Sequence, residues 1–180
     1  FARKSLQDTP LAGLTLAIRR AGEPDWIQAY GLANLEGNLP PSPDTVYPIG
    51  SLSMQFTAAA VMQLVERGQL DLYAPISQYL DDLPPDFQSL TLHQLLSHTS
   101  QINDPIETQE MFFGQQEFTS EALLQEMVPI LYLSPPDHPQ MFSYGNYILA
   151  GLIIEKVSGI GYSDILNQLV FAPAGLPHTS

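Results

Sequence analysis

YPIGSLSMQFTAAAVMQLVERGQL, residues 47–70, decides how this chain is read. From Ser51 to Arg67 the segment is apolar on most faces at helical spacing, which predicts a central, buried helix. Gly68 follows where a left-handed C-terminal glycine belongs. Ser51 stands at the mouth of this helix. Backbone N–H groups there have no partner within the helix, and the positive end of the dipole points outward. An oxyanion forming at that point would be stabilised. A serine hydroxyl attacks only when a nearby base takes its proton. The residue three positions along lies on the same face of a helix. That residue is Met54, and a thioether is no base near neutral pH. Taken alone, Ser51 reads first as an N-cap, where serine is favoured.

The chain has 180 residues, enough for one domain. Apolar residues make up 44% and mean hydropathy is +0.00, so a sizeable core is available and wholesale disorder is not expected. Six basic against nineteen acidic residues give a net charge of −13. That balance argues against nucleic acid and anionic membrane surfaces as partners. The absence of cysteine excludes disulfides, thiolate catalysis and cysteine-ligated metals. No apolar run approaches the ~20 residues of a spanning helix, so no transmembrane segment is expected. The first residue is Phe1 rather than Met, which leads to the expectation of an upstream segment removed or left out.

LTLAIRR (14–20) and DWIQAYGLAN (25–34) are β-like runs separated by a turn signal, a predicted hairpin. EGNLPPSPDT is a loop. A short helix is expected within residues 71–87. Thr91 with Gln94 marks a capping box, residues 105–118 read as irregular, and Thr119 or Ser120 caps a helix ended by Pro129. SPPDHP reads as a stiff loop. NYILAGLIIEKVSG is a second strongly apolar helix, stopped by Gly159, and Ser163 caps a last one. Two strands followed only by helices is an odd tally. A lone hairpin is marginal in water, and its edges invite pairing. Either the helices cover it, or a second chain or a further C-terminal segment completes the sheet.

YGLANLEGNLPPSPDTVYPIGSLSMQFTAAAVMQLVERGQLDLYAPISQYL, then LTLHQLLSHTSQI, then FSYGNYILAGLIIEKVSG, together resemble the serine β-lactamase-like family. This group holds class C β-lactamases, D-alanyl-D-alanine carboxypeptidases and related esterases. The resemblance implies an α+β fold of the β-lactamase/transpeptidase type. Residues 1–180 would form an incomplete domain, with the hairpin and loop in 1–50 and the nucleophile helix and helical region in 51–180. The strands completing the sheet would lie beyond Ser180. It further implies acyl transfer on an amide, ester or β-lactam, a small-molecule or peptide substrate, no cofactor and no metal, and a periplasmic or secreted location.

The family's Ser-x-x-Lys motif falls on Ser51 as nucleophile, with Met54 at the lysine position. Its Tyr-x-Asn motif falls on Tyr144 as proton shuttle and Asn146 as substrate contact. The late Lys-Thr-Gly or His-x-Gly motif has no counterpart. These departures lead to the expectation that the chain alone is inactive, the alternative being a non-catalytic relative that binds a peptidoglycan-like or peptide ligand. The family also favours glycine where Gln101 stands. It often has two further residues between its motif tyrosine and the tyrosine matching Tyr147, so Asn146 also reads as the asparagine just before that second tyrosine.

His93, His98, His138 and His178 show no metal-ligand spacing. His98 reads as a hydrogen-bonded loop histidine. Asp81 and Asp82 read as a solvated helix end rather than an acid/base pair.

Overall fold

The computed structural model describes residues 4, 6, 8–104, 118–135, 137 and 142–179. The chain divides into two compact units, residues 1–49 and 50–180.

The first unit is built on the expected hairpin. Strand β1 (Gly13–Ile18) pairs antiparallel with β2 (Trp26–Gly31), Gly13 opposite Gly31 and Ile18 opposite Trp26. Both strands are shorter than their β-like runs, for local reasons. β2 stops at Gly31, whose φ of +78° leaves the extended region. A Cβ there would lie 2.3 Å from the Ala12 carbonyl oxygen, so only glycine allows this close approach. β1 gives way to the turn at Arg19, whose guanidinium donates to both carboxylate oxygens of Asp25, at 2.8 and 2.6 Å. That hydrogen bond holds the Asp25 carboxyl below its ordinary range and the Arg19 guanidinium above its own. The pair is solvated and adds little stability.

The second unit is helical around one apolar core. A 3-10 turn (Gly50–Ser53) leads into α1 (Met54–Glu66). Thr57, Ala60, Val61 and Leu64 are its buried residues, spaced i, i+3, i+4, i+7. Leu52 and Met62 are exposed, so this segment, apolar on most faces in sequence, buries one stripe and is not the central helix expected. The central helix is instead α4 (Tyr144–Ser158), where Leu149, Ala150, Leu152, Ile153 and Ile154 are all buried. It packs on α1, on α2 (Leu92–Leu96) and on α5 (Tyr162–Leu166). Each leucine and isoleucine among these core side chains contributes about 1.5–3 kcal/mol by burial.

Helix ends follow local chemistry. Gly68, φ +70°, ends α1, with Gly68 N–H on the Val65 carbonyl (2.9 Å) and Gln69 N–H on that of Leu64 (2.9 Å). Thr91 and Gln94 form the reciprocal capping box of α2. Thr119 caps α3 (Ser120–Ala122) by accepting from the Ala122 N–H. This segment continues as a π-helical turn (Leu123–Met127) and a 3-10 turn (Val128–Ile130), so Pro129 sits inside the final turn rather than after it. The cap of α5 is Gly161; Ser163 lies within the helix. Residues 71–87 hold two 3-10 turns, Ile76–Gln78 and Pro85–Phe87, which bury Ile76 and Phe87. A second small sheet, β3 (Ile102–Asn103) against β4 (Tyr132–Leu133), was not expected. The irregular stretch predicted at 105–118 lies outside the described residues except for Phe118, and so do parts of the SPPDHP loop.

A candidate active-site cleft

Beside α1 and α4, within the second unit, runs a cleft of about 500 Å³. Ser51, Met54 and Tyr144 all line it, so three of the four residues singled out in the sequence come together. Ser51 is exposed within the 3-10 turn. It does not cap α1: the N-cap position is Ser53, whose hydroxyl turns back onto the Gly50 carbonyl (2.7 Å). Met54 opens the helix proper, three residues on.

Asn146 is the exception. It is 0% exposed and is absent from the cleft wall. Its carboxamide oxygen accepts from the Ser100 hydroxyl (2.5 Å), and its Nδ2 donates to His98 Nδ1 (3.1 Å). The amide is thus engaged within the protein, 46 and 48 residues away in sequence. Through these two bonds Asn146 braces the loop at 98–100.

That loop and the start of α4 form one polar unit. Asp104 takes over the capping of α4. Its carboxylate accepts from Ser143 Oγ (2.8 Å), Tyr144 N–H (2.6 Å) and Gly145 N–H (3.0 Å). A carboxylate at a helix N-terminus is favoured by the dipole and by charge-assisted bonding. Tyr144 is therefore set by its own backbone, and its ring meets Phe142 edge-to-face at 5.0 Å. His98 sits at φ +55° just after α2, in the same kind of C-terminal motif as Gly68. Its Nδ1 faces two donors, Ser143 N–H (3.3 Å) and Asn146 Nδ2, so Nδ1 accepts and the proton sits on Nε2. Burial lowers the His98 pKa, and the Asp104 charge opposes that shift.

The remaining wall holds groups that the sequence did not flag. Tyr162 Oη and Thr57 Oγ1 lie 2.5 Å apart. Glu155 accepts from the Tyr162 N–H (2.6 Å) and from the Ser120 hydroxyl. Tyr147 donates to the Leu96 carbonyl (3.0 Å). Burial raises the pKa of both Tyr147 and Tyr162. The one available signal was Glu155 itself, a charge inside the apolar run LAGLIIEKV. No lysine, arginine or histidine lines the cleft among the described residues.

Among the described residues no cluster of histidines and carboxylates could hold a metal; His138 lies outside them. No described helix is long and apolar enough to cross a membrane. Asp81 and Asp82 are solvated, with Asp81 3.4 Å from Lys156.

An antiparallel hairpin, a helical unit around one buried helix, and a serine opening that unit's cleft define an α+β fold of the β-lactamase/transpeptidase class. The D-amino acid amidase of Ochrobactrum anthropi SV3, solved in complex with L-phenylalanine, superposes with a TM-score of 0.84. It is 27% identical, over 99% of this chain and 51% of that one. Residues 2–180 match the sequence profile of the Beta-lactamase family, and the chain belongs to that family. Two curated relatives come from Bacillus subtilis (strain 168). Penicillin-binding protein 4* is 30% identical over 92% of this chain, and the putative penicillin-binding protein PbpX is 31% identical over 96%. The chain spans 37% and 42% of their lengths.

Proposed function

We propose that this chain carries the nucleophile half of a β-lactamase-like acyl-transfer site, and that Met54 leaves it without turnover. The observation behind this is the company Ser51 keeps: Met54 and Tyr144 line the same cleft, and among the described residues no basic side chain does. In the parent chemistry, Ser51 Oγ attacks the carbonyl of an amide, ester or β-lactam, and its proton passes to a base. The family places a lysine where Met54 stands. Methionine fills the volume of the lysine stem without a lone pair that takes a proton. Tyr144 adds a hydroxyl to the same wall. Loss of general-base help costs roughly 10²–10⁴-fold in rate. The Ser51 N–H, before the α1 N-terminus, is the group placed to stabilise an oxyanion. Asn146 is given no role at the substrate.

The second reading is a non-catalytic relative that binds a peptide or peptidoglycan-like ligand in the same cleft; the largely apolar wall favours it. We further propose that a segment or chain outside residues 1–180 completes the β1–β2 sheet. Neither strand has another partner among the described residues, and the chain covers about half or less of the relatives compared.

Turnover of a chromogenic ester separates the two readings. The native chain should show none. Met54→Lys should restore it in a chain extended to the length of the relatives, and not in the 180-residue chain. An extended Met54→Lys chain that binds a β-lactam yet never turns over the ester would favour the binding protein.

A further inference from the structure

Glu155 supplies the carboxylate in the described cleft wall, and no cationic side chain there neutralises it. It also lines a neighbouring hollow of about 450 Å³, together with Ser120 and Leu152, so it is reached from two sides. Lys156 borders that second hollow, but its ammonium group lies at Asp81 (3.4 Å). Each carboxylate oxygen has two acceptor positions. One on Oε1 is taken by the Tyr162 N–H and one on Oε2 by the Ser120 hydroxyl. One position on each oxygen is left for a ligand. Three tyrosines, 144, 147 and 162, line the same cleft, and aromatic faces attract cations. Tyr162 is seated against α4 at Gly151, where a Cβ would stand 3.4 Å from the ring. Its hydroxyl is tied to Thr57. The net charge of −13 raises the local concentration of cations.

We propose that the cleft recognises a ligand bearing a primary ammonium group, with Glu155 as the residue that selects it. The ammonium site stands on Glu155 itself and takes nothing from the acyl-transfer reading.

The test is a matched pair of probes, 4-phenylbutylamine and 4-phenylbutan-1-ol, titrated by calorimetry into the 180-residue chain at neutral pH. The amine should bind about tenfold tighter, the size of one charge-assisted hydrogen bond. The preference should shrink as salt is raised. Glu155→Gln should abolish it while keeping both internal contacts, its oxygen accepting from Tyr162 N–H and its nitrogen donating to Ser120 Oγ. Equal affinity of amine and alcohol for the native chain, or binding of neither, overturns the proposal whether or not the variant folds. A preference unchanged in a folded Glu155→Gln chain also overturns it. No chemistry at Ser51 is read here, so loss of the acyl-transfer reading would leave an observed amine preference standing.

Discussion

Gln101→Gly should stabilise the protein by about 1–3 kcal/mol. Gln101 adopts φ +65°, in the left-handed region. For a residue with a Cβ that costs about 1–2 kcal/mol. Its Oε1 is buried and has no hydrogen-bond partner among the described residues, an unpaired acceptor that costs about 1–3 kcal/mol. Two terms run the other way. Glycine loses more backbone freedom on folding, about 0.5–1 kcal/mol. The half-buried side chain also gives up the equivalent of about one methylene, about 0.8 kcal/mol. The backbone contact is retained, since the Gln101 carbonyl accepts from the Ser134 N–H at 2.8 Å whatever the side chain. Gln101→Ala divides the effect, because it removes the unpaired acceptor and keeps the left-handed strain. Urea unfolding of the three chains, followed by far-UV circular dichroism, should rank them Gly, then Ala, then the native Gln. A glycine variant no more stable than the native chain would refute both cost assignments and would mean that the Gln101 amide finds a partner.

Gly145→Ala should destabilise the second unit by about 1–3 kcal/mol by overpacking. The new methyl would stand 2.7 Å from Leu131 Cδ1 and 3.1 Å from Asp104 Oδ1. A urea midpoint unchanged from native would contradict this. His98 carries a pH effect of definite sign. Burial depresses its folded pKa, so the folded chain binds fewer protons than the unfolded one. Its contribution is complete above about pH 6.5, the ordinary histidine value, and is lost as pH falls from there toward the folded pKa. Thermal melts between pH 8 and 5 should show that loss. They should show less of it in His98→Asn, which also tolerates the left-handed backbone. In hydrogen exchange the amides of β1 and β2 should exchange far faster than those of α4 at Leu149–Ile154, because a two-stranded hairpin is marginal alone; equal protection would show the sheet to be closed already.

The sequence was legible where the chemistry is local. The Thr91–Gln94 box, the Thr119 cap and the glycine stops at 68 and 159 each depend on neighbours within one turn. The hairpin followed from two β-like runs around a turn, although Gly31 cut the second strand short. β3 and β4 are two residues each, too short for any period to register. The cleft was half visible. Ser51, Met54 and Tyr144 belong to motifs, whereas Thr57, Glu155 and Tyr162 meet only through the tertiary fold. The same distance hid the fate of Asn146. Its partners Ser100 and His98 are far away in the chain, and Asp104 caps α4 from forty residues upstream. The preference for glycine at position 101 acquires its physical reason only with φ in hand.

The central claim is that Ser51 sits in an acyl-transfer cleft without a base to activate it. The intact mass of the 180-residue chain after incubation with a fluorophosphonate probe tests it most directly. The predicted result is an unmodified mass, because the Ser51 hydroxyl has only the Met54 thioether at the position of its activator. A stoichiometric adduct, mapped by peptide sequencing to Ser51, would contradict it and would mean that another group in the cleft takes the proton.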